Sequence, residues 1–138
     1  MSDVYRVNIF RLVNPIKTNS FFLLGARGTG KTTFLKSFLG AQSDVLWIDL
    51  LDRELEDRYA RSPSLLVEQV RKDPLRWRWV VIDEVQKVPE LLNCVHLLIE
   101  EKKTLFALTG SSARKLRRGG ANLLAGRAVT RRMHPLTA

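Results

Sequence analysis

Residues 25–32 read Gly25-Ala26-Arg27-Gly28-Thr29-Gly30-Lys31-Thr32, set between the apolar run Phe21-Phe22-Leu23-Leu24 and the helix-patterned segment Thr33-Phe34-Leu35-Lys36-Ser37-Phe38-Leu39. A strand, a glycine-rich turn and a helix in that order form a phosphate-binding P-loop. Backbone N–H groups turn inward around the anion, the helix adds its positive N-terminal end, Lys31 adds a mobile cation and Thr32 offers a hydroxyl to Mg²⁺. A chance match is expected in fewer than roughly one in a hundred chains of this length. The candidate nucleotide contacts are therefore Gly25, Ala26, Arg27, Gly28, Thr29, Gly30, Lys31, Thr32 and Thr33.

Four short runs are almost continuously apolar: Phe21 to Leu24, Val45 to Ile48, Trp79 to Ile82 and Leu105 to Leu108. Unbroken apolar runs suit strands covered on both faces, as in a parallel sheet flanked by helices. The segments between them read as helices. Gly40 stops the first, Ser62-Pro63 opens a second that ends before Pro74, and Pro89 opens a third with Leu91, Leu92, Val95, Leu98 and Ile99 on one stripe. The alternation predicts a doubly wound α/β domain with its ligand at the carboxyl ends of the strands. Gly25, Asp49, Asp83 and Thr109 stand at those ends. A polar, Pro-interrupted fifth strand is expected over Ala128 to Leu136, at a sheet edge. Residues 1–20 are a lead-in of ambiguous structure.

The 138 residues suffice for one domain with a sizeable core, and 45% hydrophobic with 27% charged residues is ordinary for a folded globular protein. Apolar runs of about four residues fall far short of the roughly twenty that span a bilayer, so no membrane span is expected. The opening Met1-Ser2-Asp3 lacks the pattern of a secretory signal, which gives a cytoplasmic expectation. Cys94 is the single cysteine, so an internal disulfide and a cysteine-based zinc site are both excluded. Residues 1–101 hold all 14 acidic side chains and balance them with Lys and Arg. Residues 102–138 carry Lys102, Lys103, Arg114, Lys115, Arg117, Arg118, Arg127, Arg131 and Arg132, and supply the entire net charge of +9. Such a patch suits nucleic acid, an acidic partner or the nucleotide itself.

Trp79-Val80-Val81-Ile82-Asp83-Glu84 is the second informative stretch, an apolar strand ending in adjacent carboxylates. After a P-loop, Asp83 is placed to hold Mg²⁺ and Glu84 to orient and activate an attacking water. The metal candidates are thus Thr32 and Asp83. Asp49 and Asp52 follow the second strand, which the family resemblance given next implies to lie at the far edge from the phosphate, and are left out of the site. His96 and His134 lack a partner suited to metal binding, and Trp47, Trp77 and Trp79 read as core or strand-boundary residues.

The P-loop, then Asp83-Glu84-Val85-Gln86-Lys87-Val88-Pro89-Glu90-Leu91-Leu92, then Leu108-Thr109-Gly110-Ser111-Ser112-Ala113, then Leu124-Ala125-Gly126-Arg127, together resemble the prokaryotic AAA-type ATPases with an Asp-Glu-Val-Gln box. The similarity runs over residues 21–136, within a single domain of residues 1–138. It implies an additional-strand P-loop NTPase fold, with the Thr109 strand between the P-loop strand and the Asp83 strand. It also implies Ser111, or Thr109 beside it, as a polar sensor of the γ-phosphate or attacking water. Arg127 falls where such ATPases place an arginine finger acting on a neighbouring subunit. Members of that family continue into a helical lid and a further C-terminal domain, whereas this sequence stops at Ala138, so a core without its lid is expected.

The resulting expectation is a Mg-ATP-binding domain that hydrolyses ATP to drive a conformational change, with Glu84, Lys31, Ser111 and Arg127 as catalytic candidates. Its hydrolysis is expected to be weak, or absent, without the lid. A homo-oligomer or a partner domain would complete the site. The alternatives are a small-molecule P-loop kinase and an ATP-binding module whose basic C-terminal stretch engages nucleic acid. Glu84 directly after Asp83 argues against the kinase, and the lack of an Asn-Lys-x-Asp motif argues against a GTPase.

Overall fold

The computed structural model describes residues 19–26, 30–40, 43–111 and 128–132. Each of the four apolar runs is a strand: β1 (Phe21–Leu24), β2 (Val45–Asp49), β3 (Trp79–Asp83) and β4 (Leu105–Gly110). Helix α1 (Lys31–Leu39) follows β1, helices α2 (Arg53–Arg61) and α3 (Leu65–Lys72) link β2 to β3, and α4 (Leu91–Glu100) links β3 to β4. A 3₁₀ turn, Val85–Lys87, leaves the end of β3, and β5 (Val129–Arg132) is the last element among the described residues.

All five strands are parallel, in the spatial order β2-β3-β4-β1-β5. The strand carrying Thr109 therefore sits between the P-loop strand and the Asp83 strand, and β5 occupies an edge. Residues 133–136, the rest of the expected fifth strand, lie outside the described residues.

Side chains alternate across a strand, and the two halves of each run pack into separate cores. Phe22, Leu24, Ile48, Val80, Ile82, Phe106 and Leu108 meet Tyr59 of α2, Leu66 and Val70 of α3, and Leu91, Leu92, Val95 and Leu98 of α4. Phe21, Leu23, Val45, Trp79, Val81 and Ala107 meet Phe34, Leu35 and Leu39 of α1. The α1 side is rich in aromatic rings, with Phe21 edge-on to Trp79 at 5.6 Å and Phe34 stacked on Phe38 at 5.5 Å. Two covered faces are why these strands read as unbroken apolar runs.

Helix α2 was not expected from apolar pattern, and the reason is visible in its burial. Tyr59 is its one buried residue. Local signals carry it instead: Asp52 caps it by accepting from the Glu54 N–H at 2.9 Å, Glu54 and Glu56 lie in the first turn, and Arg58 and Arg61 in the last. Burial pushes the Tyr59 phenol above its ordinary range, although its hydrogen bond to Gln69 of α3 opposes the shift. Burial likewise raises the Cys94 thiol, which donates to the Pro63 carbonyl at 3.3 Å.

Candidate functional site

Parallel pairing in register brings the carboxyl ends of the strands to one rim. Asp49 pairs with Asp83, Ile82 with Leu108, and Leu24 with both Gly110 and Arg132. The ladder extends one step beyond β1, where the Gly25 N–H donates to the Gly110 carbonyl at 3.2 Å. The P-loop is thereby anchored to β4. Arg27, Gly28 and Thr29 lie outside the described residues, as does Arg127.

The loop rejoins the described chain at Gly30, whose φ of 85° and ψ of 21° place it in the left-handed region that glycine enters without a Cβ penalty. Its carbonyl accepts the first helical bond of α1, from Phe34 N–H at 2.9 Å. The amides of Lys31, Thr32 and Thr33 precede that bond, so helix geometry leaves them pointing out of the N-terminal end. No side chain caps them, and no acid lies in the first turn. This is an end suited to an anion.

Lys31 is 5% exposed, and its ammonium donates to the carbonyls of Gly25 at 2.5 Å and Ala26 at 3.1 Å. The cation is folded back over the entry to the loop. Next to it, Thr32 Oγ1 donates to Asp83 Oδ2 at 2.7 Å, tying the start of α1 to the end of β3. Asp83 is 3% exposed, and its other oxygen, Oδ1, accepts from the Thr109 hydroxyl. Three segments distant in sequence thus converge on one buried carboxylate. Thr33 is exposed on the first turn of α1.

Thr109 is fully buried and has a second task, because its Oγ1 accepts from the Glu84 N–H at 2.9 Å. It stands behind the two acids and fixes both. Glu84 has φ 60° and ψ 52°, a left-handed backbone that costs a non-glycine residue of order 1–3 kcal/mol. The bond to Thr109 and the 3₁₀ bond from Lys87 N–H to the Glu84 carbonyl at 3.1 Å hold it there. Its side chain meets the end of β4: the Ser111 hydroxyl donates to Glu84 Oε2 at 2.8 Å, and the Gln86 amide donates to the same oxygen.

Thr32 Oγ1 and Asp83 Oδ2 are hard oxygen donors at the spacing of neighbouring ligands on one small cation, a donor set that fits Mg²⁺. Among the described residues no cluster of three or more His, Cys, Asp or Glu occurs.

Sequence reasoning left Asp49 aside because its strand lies at the sheet edge. β2 is indeed that edge, yet Asp49 lines a cavity of about 470 Å³ together with Thr32, Lys36, Gly40, Trp47 and Asp83. Thr32 and Lys36 lie one turn apart on α1 and Gly40 caps its end, so the cavity runs between that helix and β2. The register of Asp49 opposite Asp83 is the link that only pairing supplies. Asp52 acts instead as the cap of α2.

A family model described as an AAA domain matches residues 17–138. Among solved structures, the chain is similar to domain III of the replication initiation protein DnaA from Thermotoga maritima, at 16% identity and a TM-score of 0.53, covering 97% of this chain and 62% of that one. It is similar to PCH-2 from C. elegans at 19% identity and a TM-score of 0.59, covering 94% and 40%. It is also similar to the Pif1 helicase from Candida albicans at 15% identity and a TM-score of 0.51, covering 99% and 40%. The chain spans less than two thirds of each, and at these identities the likeness is one of fold. No curated protein matches the chain.

Proposed function

The chain belongs to the AAA domain family, and on that premise we propose that it binds Mg-ATP and hydrolyses it to ADP and phosphate, with loss of the γ-phosphate driving a conformational change. The observation that carries this reading is the convergence of the Thr32 and Thr109 hydroxyls on the buried Asp83 carboxylate, which ties the first turn of the P-loop helix to the ends of β3 and β4.

In this reading the P-loop amides and Lys31 bind the phosphates, and residues 25–33 form the cradle. Thr32 and Asp83 hold Mg²⁺, which when bound neutralises charge on the phosphate oxygens. Thr109 keeps both acids in register. Asp83-Glu84-Val85-Gln86 serves as the acid box of a prokaryotic ATPase, and Glu84 orients the water and accepts its proton. Ser111 senses the reacting end through its contact with Glu84. Arg127 acts across a subunit boundary in a cytoplasmic homo-oligomer, where an arginine of that kind is worth about 10³ to 10⁵ in rate. The basic residues after 101 offer a surface for nucleic acid, in keeping with a helicase and a replication initiation protein among the fold neighbours.

ATP titration with Mg²⁺, followed by phosphate release, tests the reading. Lys31→Ala should weaken ATP binding by about tenfold or more, and Glu84→Gln should retain ATP while lowering phosphate release by about a hundredfold or more. Release at the wild-type rate by Glu84→Gln removes Glu84 from the chemistry, and failure of the wild type to bind ATP removes the function. The cavity beside Asp49 favours one second reading, phosphoryl transfer to a small acceptor. Phosphate released without a phosphorylated product decides against it.

A further inference from the structure

We propose that Gln86 is a positioning residue for Glu84, a role that rests on the reading of Glu84 as the acid that orients the attacking water. The Gln86 side-chain amide has two N–H groups and uses both, one on Glu84 Oε2 and one on Ser111 Oγ at 3.0 Å. Ser111 closes the triangle with its own hydrogen bond to Glu84 Oε2 at 2.8 Å. Two donors from two elements, the 3₁₀ turn after β3 and the end of β4, therefore grip one oxygen of the carboxylate.

That arrangement fixes the plane of the carboxylate through Oε2. Both hydrogen bonds of the clamp fall on Oε2, so Oε1 is the oxygen that would orient a water. Glu84 stands just past the end of β3 with a left-handed backbone, so its side chain is held by these contacts and not by the strand ladder. Glu84 is 5% exposed, so bulk water contributes little to holding it.

A second observation separates this role from simple packing. Gln86 Oε1 is buried and has no hydrogen-bond partner among the described residues. A buried carbonyl left unpaired is unfavourable, and an apolar side chain of similar length would fill the space without it. The amide is explained by its N–H pair, whose targets are Glu84 and Ser111.

The test compares the wild-type chain with Gln86→Met, which keeps the length and removes both donors, and with Gln86→Glu, which keeps the shape and replaces the donors with a second carboxylate. Steady-state phosphate release and thermal unfolding are measured on each. Both variants should lose about tenfold or more in kcat, hold KM for ATP within about twofold, and shift the thermal midpoint by only a few degrees. A kcat unchanged in both, or loss of the folded state in both, overturns the role in favour of a structural staple. A wild type that binds Mg-ATP and releases no phosphate overturns the reading of Glu84, and the positioning role falls with it. Release that is undiminished in the variants overturns the positioning role alone.

Discussion

At the scale of single residues, the most consequential side chain outside the P-loop is Thr109. Its fully buried hydroxyl donates to Asp83 and accepts from the Glu84 amide, so one group holds both acids. Thr109→Val keeps the shape and removes the oxygen, leaving the Glu84 N–H and one Asp83 oxygen without that partner. The expected cost is about 1–3 kcal/mol of stability by urea unfolding. Weaker Mg-dependent ATP binding should accompany it, since Asp83 would lose one of its two anchors. A variant as stable as the wild type, with unchanged Mg²⁺ dependence, would show that the hydroxyl positions nothing.

At the scale of elements, α1 has two ends shaped by glycine for different purposes. Gly30 enters the helix with a left-handed backbone and leaves the first amides open, whereas Gly40 ends it at φ 68° and ψ −172°, a region open essentially to glycine alone. The Gly40 N–H closes the last turn on the Lys36 carbonyl at 3.0 Å. Gly40→Ala should therefore destabilise the chain by about 1–3 kcal/mol in a denaturant titration. Gly40 also lines the cavity beside Asp49. Stability retained within a few tenths of a kcal/mol would mean that the backbone relaxes there. Helix α2 follows the opposite logic, with its charges and its Asp52 cap supplying what its single buried residue does not.

Across the whole molecule, the sheet is the frame on which the site depends. β4 pairs with both β1 and β3, and so joins the P-loop strand to the acid strand. Phe106 on β4 is fully buried in the core that α2, α3 and α4 cover. Phe106→Ala should cost about 3–5 kcal/mol. Because the cavity lies under the strand that sets the spacing of Gly25 and Asp83, ATP affinity should fall in step with stability as temperature rises. Calorimetry and ATP titration on the same sample check both, and an affinity insensitive to the loss would separate the site from the sheet.

Much of this architecture could be read from residue order, because the decisive signals are local. A glycine-rich turn between an apolar strand and a helix, four doubly covered strands and an acid pair at a strand end all lie within short windows of sequence. Hydrophobic burial alone then demands helices on both sides of a parallel sheet. Strand order and register are different in kind, since nothing local distinguishes one neighbour of β1 from another, and only the family resemblance implies an order. Only that pairing places Asp49 opposite Asp83, and turns Thr109 inward onto two acids. It also draws Gln86 and Ser111 onto one oxygen of Glu84. These contacts join residues 25 or more apart, or hang on a left-handed backbone angle that no local pattern specifies, and so they exist only once the sheet has closed.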